Sequence, residues 1–191
     1  YIENKMYIND NNKYLSPLLY RKFVEGCNIP KTKNILKRLI ENETINLHAS
    51  HRRDMKNFGS AYYYYLNKEY GKAIKCIIEL NHPKFMYKYD IRNLELKIYF
   101  EKKNYIELSN ILHNYHENIK AEPLFTRIDK EKYKIMIDYF KDLLKADEKY
   151  RMDRDILPFE YLLKQINSDG GFVMKQWFTH KVESIIEAHY L

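Results

Sequence analysis

Residues that interrupt helices are scarce in this chain. Its 191 residues include only five glycines and five prolines. Charged residues make up 31% of the chain, and most of them are Lys and Glu, which favour helix at exposed positions. No segment shows the sustained apolar–polar alternation of a half-buried strand. The composition therefore predicts an all-α protein.

Cysteines and long apolar runs are also few. Cys27 and Cys76 are the two cysteines, and in principle they could form a disulfide. Because 45% of the residues are apolar, the chain can form a large core, and we interpret both as small buried side chains in a reducing compartment, the cytoplasm. No stretch approaches the ~20 uninterrupted apolar residues of a membrane span.

The first residues give no targeting signal. The N-terminus, from Tyr1 to Lys5, lacks the basic and then apolar order of a signal peptide. Because the chain starts at Tyr1 and not at Met, an alternative stays open: the sequence is a fragment that packs against the rest of a longer chain, and any upstream signal is not visible.

Positive charge is concentrated in the N-terminal third. Residues 1–60 contain eleven Lys or Arg against six Asp or Glu, whereas residues 61–191 contain 22 against 20. Such asymmetry can attract nucleic acid or another polyanion. The basic residues alternate with apolar ones, which is also the pattern of an ordinary surface helix. They are Lys31, Lys33, Lys37, Arg38, Arg52 and Arg53.

Apolar residues recur at helical spacing in about nine segments. The clearest stripe is Tyr70, Ala73, Ile74 and Ile77, at the 0, 3, 4, 7 spacing of one helix face. We predict stacked antiparallel helix pairs, with a loosely ordered lead-in at 1–14, a repeat stack at 15–146 and a C-terminal capping pair at 147–191, entered through a polar connector around Asp147 to Asp155. The predicted core includes Tyr70, Ala73, Ile77, Leu108, Leu112 and Phe140.

One segment of the chain occurs twice. Tyr70 and Tyr105 lie 35 residues apart, and an aromatic pair precedes each by the same distance, Tyr64-Tyr65 and Tyr99-Phe100. A fixed period in this range is typical of helical units that stack to share a core. A period identifies an architecture and not an activity.

The first copy resembles a tetratricopeptide unit, a helix–turn–helix repeat of about 34 residues. Its small residue, aromatic pair, turn-proximal tyrosine and second-helix alanine have the family's relative spacings. These residues are Ala61, Tyr64, Tyr65, Tyr70, Ala73 and Ile77. The second copy is a weaker match, formed by Tyr99, Phe100, Tyr105, Leu108 and Leu112. In that copy Leu96 stands where the family has a small residue.

The resemblance implies a right-handed superhelix in which the first helix of each pair lines a concave groove. It follows that Phe58, Tyr62 and Tyr65 in one unit, and Asn93 and Lys97 in the next, face that groove. Tyr62 and Lys97 are also 35 residues apart, so we expect them to point to the same side and to contribute more to recognition than to the core.

The whole chain is also similar to the C-terminal regions of large, uncharacterised bacterial repeat proteins. The similarity runs from Tyr14-Leu15-Ser16-Pro17 through Asp90-Ile91-Arg92-Asn93-Leu94 to the helix that contains Trp177. It implies no known activity.

No motif in the sequence indicates catalysis, a metal or a cofactor. His113 and His116 share a helix face with Glu117, but a zinc site needs a further ligand at a defined spacing. The sequence has no phosphate-binding glycine loop, no nucleophile elbow and no HExxH. We therefore predict a non-enzymatic module that binds a protein or peptide, with polyanion binding through the basic third as the alternative.

Overall fold

The fold was examined in a computed structural model that describes residues 13–27, 29–80 and 85–191. Within these ranges it contains nine α-helices and no β-strand, with one isolated parallel bridge between Leu15 and Leu47. The predicted all-α fold with about nine helices is confirmed. The superhelical stacking stays a prediction, and 1–12 of the predicted lead-in lie outside the described residues.

The chain divides into two compact units. Unit 1 is Tyr1–Lys103 and unit 2 is Asn104–Leu191. The domain boundaries proposed at 14 and 146 stay predictions.

Five α-helices form the described part of unit 1. They are α1 (Pro17–Gly26), α2 (Lys33–Arg38), α3 (Ala49–Leu66), α4 (Tyr70–Ile78) and α5 (Phe85–Glu101). A π-turn over Leu39–Glu43 and a 3₁₀ turn over Thr44–Asn46 connect α2 to α3. Helix α3 begins at Ala49, where the His48 ring accepts the Ser50 amide at 3.4 Å and caps the helix.

All five helices and the π-turn contribute to the core of unit 1, which includes the predicted core residues Ala73 and Ile77 of α4. At Gly59 on α3 a Cβ atom would lie 2.8 Å from the Tyr20 hydroxyl and 2.9 Å from Ile40 Cγ1. Glycine therefore permits the close approach of α1 and the π-turn to α3. Tyr70, also predicted as a core residue, is only half-buried. It is the first residue of α4, and its ring lies beside that of Tyr65, which is itself half-buried.

Unit 2 contains four helices. They are α6 (Tyr105–Ala121), α7 (Arg127–Asp153), α8 (Leu157–Ser168) and α9 (Lys175–Tyr190). The Thr126 hydroxyl and the Asp129 carboxylate cap each other's backbone amides at the start of α7. Leu108, Leu112 and Phe140 are buried, as predicted.

The predicted polar connector around Asp147 to Asp155 is mostly helical, because α7 continues to Asp153. Asp147 is buried, and its Oδ2 atom accepts hydrogen bonds from the Tyr105 hydroxyl at 2.6 Å and from Arg151 Nε at 3.0 Å. These hydrogen bonds satisfy the buried Asp147 carboxylate, so this residue can lie within the helix. The helix ends at Asp153, and the next residue, Arg154, has a left-handed backbone with a φ of 56°.

Candidate functional site

The 35-residue period extends to the backbone at the ends of α3 and α5. Lys68 and Lys103 both have left-handed backbones, with φ values of 60° and 55°. The Lys68 amide donates to the carbonyl of Tyr65 at 2.9 Å, and the Lys103 amide donates to the carbonyl of Phe100 at 2.9 Å. The two helices therefore end in the same way, which supports the register proposed from the sequence.

The predicted groove residues Tyr62 and Lys97 converge on one residue of α5. The Tyr62 hydroxyl donates to the backbone carbonyl of Asp90 at 3.4 Å. Lys97 lies two helical turns after Asp90, on the same face of α5, and the Asp90 carboxylate attracts its charge. The two side chains therefore point to the same side of unit 1.

That side is not an open groove. Phe58, Tyr62 and Lys97 are 1%, 4% and 7% exposed, and Tyr65 and Asn93 are half-buried. The Phe58 ring lies 5.1 Å from the ring of Tyr62 and 5.7 Å from that of Tyr87. Tyr62 and Lys97 are therefore core residues, and their greater contribution to recognition stays a prediction.

Helix α1 also lies against this side of unit 1, at Asp90. It packs against α3, with Tyr20 and Val24 fully buried in the shared core. From the same helix Arg21 reaches α5, where its Nη2 atom lies 2.8 Å from Asp90 Oδ1 and its Nε atom pairs with Asp90 Oδ2. The side of α3 and α5 that was expected to face a groove faces α1 instead.

Four charged residues meet at this point, and we call them the charge cluster: Arg21, Glu25, Asp90 and Lys97. Besides Asp90, the Arg21 guanidinium binds Glu25 Oε1 at 2.8 Å. Lys97 makes no ion pair and no hydrogen bond with any residue that the structure describes; only longer-range attraction from Glu25 and Asp90 acts on it. The cluster thus contains one well-paired cation and one poorly paired cation.

Burial shifts the proton affinities of the cluster. It raises the pKa of Asp90, against the opposing effect of Arg21, and it raises the pKa of Glu25, with Asp90 as a further cause. Burial lowers the pKa of Lys97 to about 8, although Glu25 and Asp90 act in the other direction. For Lys97 the loss of hydration therefore outweighs the attraction of its neighbours.

Sequence reasoning missed Arg21, Glu25 and Asp90. A signal was present, because Arg21 and Glu25 are four residues apart and Asp90 and Lys97 are seven apart, so each pair shares a helix face. The pairing of Arg21 with Asp90 across 69 residues left no sequence pattern.

The four consecutive tyrosines of α3 differ in burial. Tyr62 is buried, whereas Tyr63, Tyr64 and Tyr65 are half-buried. The Tyr63 and Tyr64 rings lie 5.7 Å apart, and the Lys72 ammonium lies 5.4 Å from the Tyr64 ring. Most of these phenols therefore lie at the edge of the core, where a ring can also contact a partner.

The basic residues of the N-terminal third are mostly exposed. Arg52 is the exception: it is half-buried, and its Nε donates to the carbonyl of Leu47 at 2.9 Å, so it supports the connection into α3. The Lys37 Nζ atom lies 3.8 Å from Glu41 Oε1. Lys31, Lys33 and Arg53 are exposed on the surface of unit 1.

The histidines and cysteines that were candidates for a metal or catalytic site lie apart. His113 is exposed and His116 is half-buried. In the described ranges no group of three or more His, Cys, Asp or Glu side chains is placed to hold a metal ion. Cys27 and Cys76 are free thiols whose pKa values are raised by burial, so both favour the protonated form.

Comparison with known proteins identifies no relative. No described helix has both the length and the apolar character needed to cross a membrane. No protein-family model, curated protein or solved structure matches the chain.

Proposed function

We propose that this chain is a non-enzymatic module that binds a protein or peptide partner, or acts as a scaffold, through the half-buried residues at the edge of the side of unit 1 formed by α3 and α5. The observation that carries the proposal is the convergence of Tyr62 and Lys97 on Asp90, since it brings positions one repeat apart to one side. We place the module in the cytoplasm, which the two free thiols support.

Tyr65 and Asn93 are the predicted contact residues that a partner reaches first, because both are half-buried. Tyrosine offers a large apolar ring with a polar tip, a combination that is frequent where partners contribute most binding energy. Phe58, Tyr62 and Lys97 are buried, so they become contacts only if the packing around them opens.

Site-specific photocrosslinking tests the proposal. A benzophenone amino acid is placed at Tyr65 in one variant and at Tyr161 in another, because Tyr161 is 65% exposed on α8 of unit 2 and serves as the control. We expect a defined adduct from position 65 in cells and none of the same mass from position 161. Equal adducts from both positions, or none from position 65, would contradict the proposal.

Polyanion binding is the second candidate function, and the exposure of Lys31, Lys33 and Arg53 favours it. Salt separates the two candidates, because each neutralised phosphate contributes to the slope of log affinity against log salt. Binding of a single-stranded oligonucleotide should weaken steeply between about 50 and 200 mM salt if this candidate is correct. A peptide held by aromatic contacts should show a shallow dependence.

A further inference from the structure

The contact between α1 and α5 combines two opposing features. The Arg21 guanidinium binds both oxygens of Asp90 and so holds α1 to α5. On the same face of α5 Lys97 is 7% exposed and has no hydrogen-bond partner among the described residues. A buried ammonium without such a partner is costly, because nothing replaces the water that it has lost.

We propose that unit 1 opens at the contact between α1 and α5, exposing Lys97, and that the buried Lys97 ammonium favours the open form. The Arg21–Asp90 pair opposes opening. The significance for binding rests on the function proposed above, because Lys97 belongs to the predicted partner face.

Charge accounts for the balance between the two forms. In the closed form Arg21 and Lys97 face Glu25 and Asp90, so the formal charges cancel, but only Arg21 is within hydrogen-bond distance of a carboxylate. Opening returns water to Lys97 and removes its desolvation cost. It also separates a two-point guanidinium–carboxylate pair, which is the stronger kind of charged contact. Within the charge cluster the Arg21–Asp90 pair therefore stabilises the closed form, and the Lys97 ammonium destabilises it.

Two substitutions should shift the equilibrium in opposite directions. Lys97→Met keeps the length of the side chain and removes its charge, so it should favour the closed form. Asp90→Asn keeps the shape and weakens the hold on Arg21, so it should favour the open form. Lys102→Met, at an exposed lysine just after α5, is the matched control.

Native-state hydrogen exchange of the whole chain at neutral pH measures opening, segment by segment. In α1 (Pro17–Gly26) and over residues 90–97 of α5, we expect exchange about tenfold slower in Lys97→Met and about tenfold faster in Asp90→Asn. Lys102→Met should match the unchanged protein. Exchange in α7 (Arg127–Asp153) should stay the same in all three variants.

Unchanged or faster exchange in Lys97→Met would overturn the proposal, as would slowing spread evenly over all helices, which indicates global stabilisation. If Lys97→Met does not fold, Lys97→Gln carries the same expectation. The measurement uses the free protein. A negative hydrogen-exchange result therefore contradicts only the proposed opening, whereas missing crosslinks at position 65 contradict only the proposed function.

Discussion

At the residue scale, the charge on Lys97 shows how a helical protein retains a feature that lowers its stability. A methionine of similar length would bury at this position without loss of hydration, because it carries no charge. The Arg21–Asp90 pair is different, since each of its polar groups is satisfied by the other. The charge cluster is therefore better explained by specificity or movement than by stability.

The pH dependence of stability tests the burial of Lys97. Its pKa is about 8 in the folded chain and ordinary, about 10.4, in the unfolded chain. Between these values the unfolded chain binds more protons, so stability should rise with pH. Chemical unfolding at pH 7.5 and pH 9.5 should show that the stability of the unchanged protein rises relative to that of Lys97→Met.

The comparison with Lys97→Met is necessary because other groups titrate in the same range. The raised pKa values of Cys27 and Cys76 act in the opposite direction, and they contribute equally to both proteins. A difference in stability that stays constant with pH would show that Lys97 is solvated in the folded chain.

Close packing at Gly59 gives a second prediction at this scale. In Gly59→Ala the new methyl group meets the Tyr20 hydroxyl and Ile40 Cγ1 at less than 3 Å, and both of those residues are buried. Overpacking should exceed the gain in helix propensity, for a net loss on the order of 1–2 kcal/mol in the free energy of unfolding.

Gly71→Ala is the matched control for Gly59→Ala. No atom lies within 4 Å of the position that its Cβ would occupy. Urea unfolding should therefore show a gain of up to about 1 kcal/mol for Gly71→Ala. A gain of similar size for Gly59→Ala would mean that α1 does not approach α3 this closely.

At the element scale, the ends of α3 and α5 adopt a conformation that their residues do not prefer. Left-handed backbones favour glycine, and at Lys68 and Lys103 the Cβ atom adds a steric cost. The same conformation recurs two residues after the last residue of each helix.

Lys68→Gly should therefore stabilise unit 1 by about 0.5–1 kcal/mol, because glycine removes the steric cost. Lys68→Ala retains a Cβ atom and should change the free energy of unfolding little. Thermal unfolding followed by circular dichroism measures both variants. If glycine and alanine behave alike, the residue is not left-handed in solution.

Most helices could be predicted, because the apolar periodicity of a helix depends only on residues that are close in sequence. The stripes of α4 and α6 correctly placed Ala73, Ile77, Leu108 and Leu112 in the core. The continuation of α7 to Asp153 could not be predicted, because the partner that satisfies Asp147 from outside the helix, Tyr105, lies 42 residues away.

At the scale of the whole molecule, the candidate site was predicted in part. The period predicts that Tyr62 and Lys97 share a side, because equivalent positions of a repeat share an orientation, and the position of both residues near Asp90 is consistent with that prediction. It could not indicate that α1 lies against that side, since the packing of α1 depends on Tyr20, Val24 and the distant Asp90. Periodicity predicts the direction of a side chain, and tertiary packing determines its exposure.

The division into two units gives a prediction at this scale. Unit 2 has its own aromatic core, in which the Phe178 ring lies 4.7 Å from Phe140 and 5.1 Å from Trp177. We expect a chain of residues 104–191 to be helical and to unfold cooperatively by circular dichroism. A featureless spectrum or a gradual thermal transition would show that unit 2 depends on unit 1.

The 69-residue separation of Arg21 and Asp90 has a consequence for the order of events during synthesis. At translation rates of 5–20 residues per second, Arg21 leaves the ribosome about 3–14 s before its partner. During that interval only Glu25, one helical turn away, is near enough to bind it. Until α5 has been synthesised, Phe58 and Tyr62 therefore lack the contacts with Tyr87 and Asp90 that they make in the folded chain.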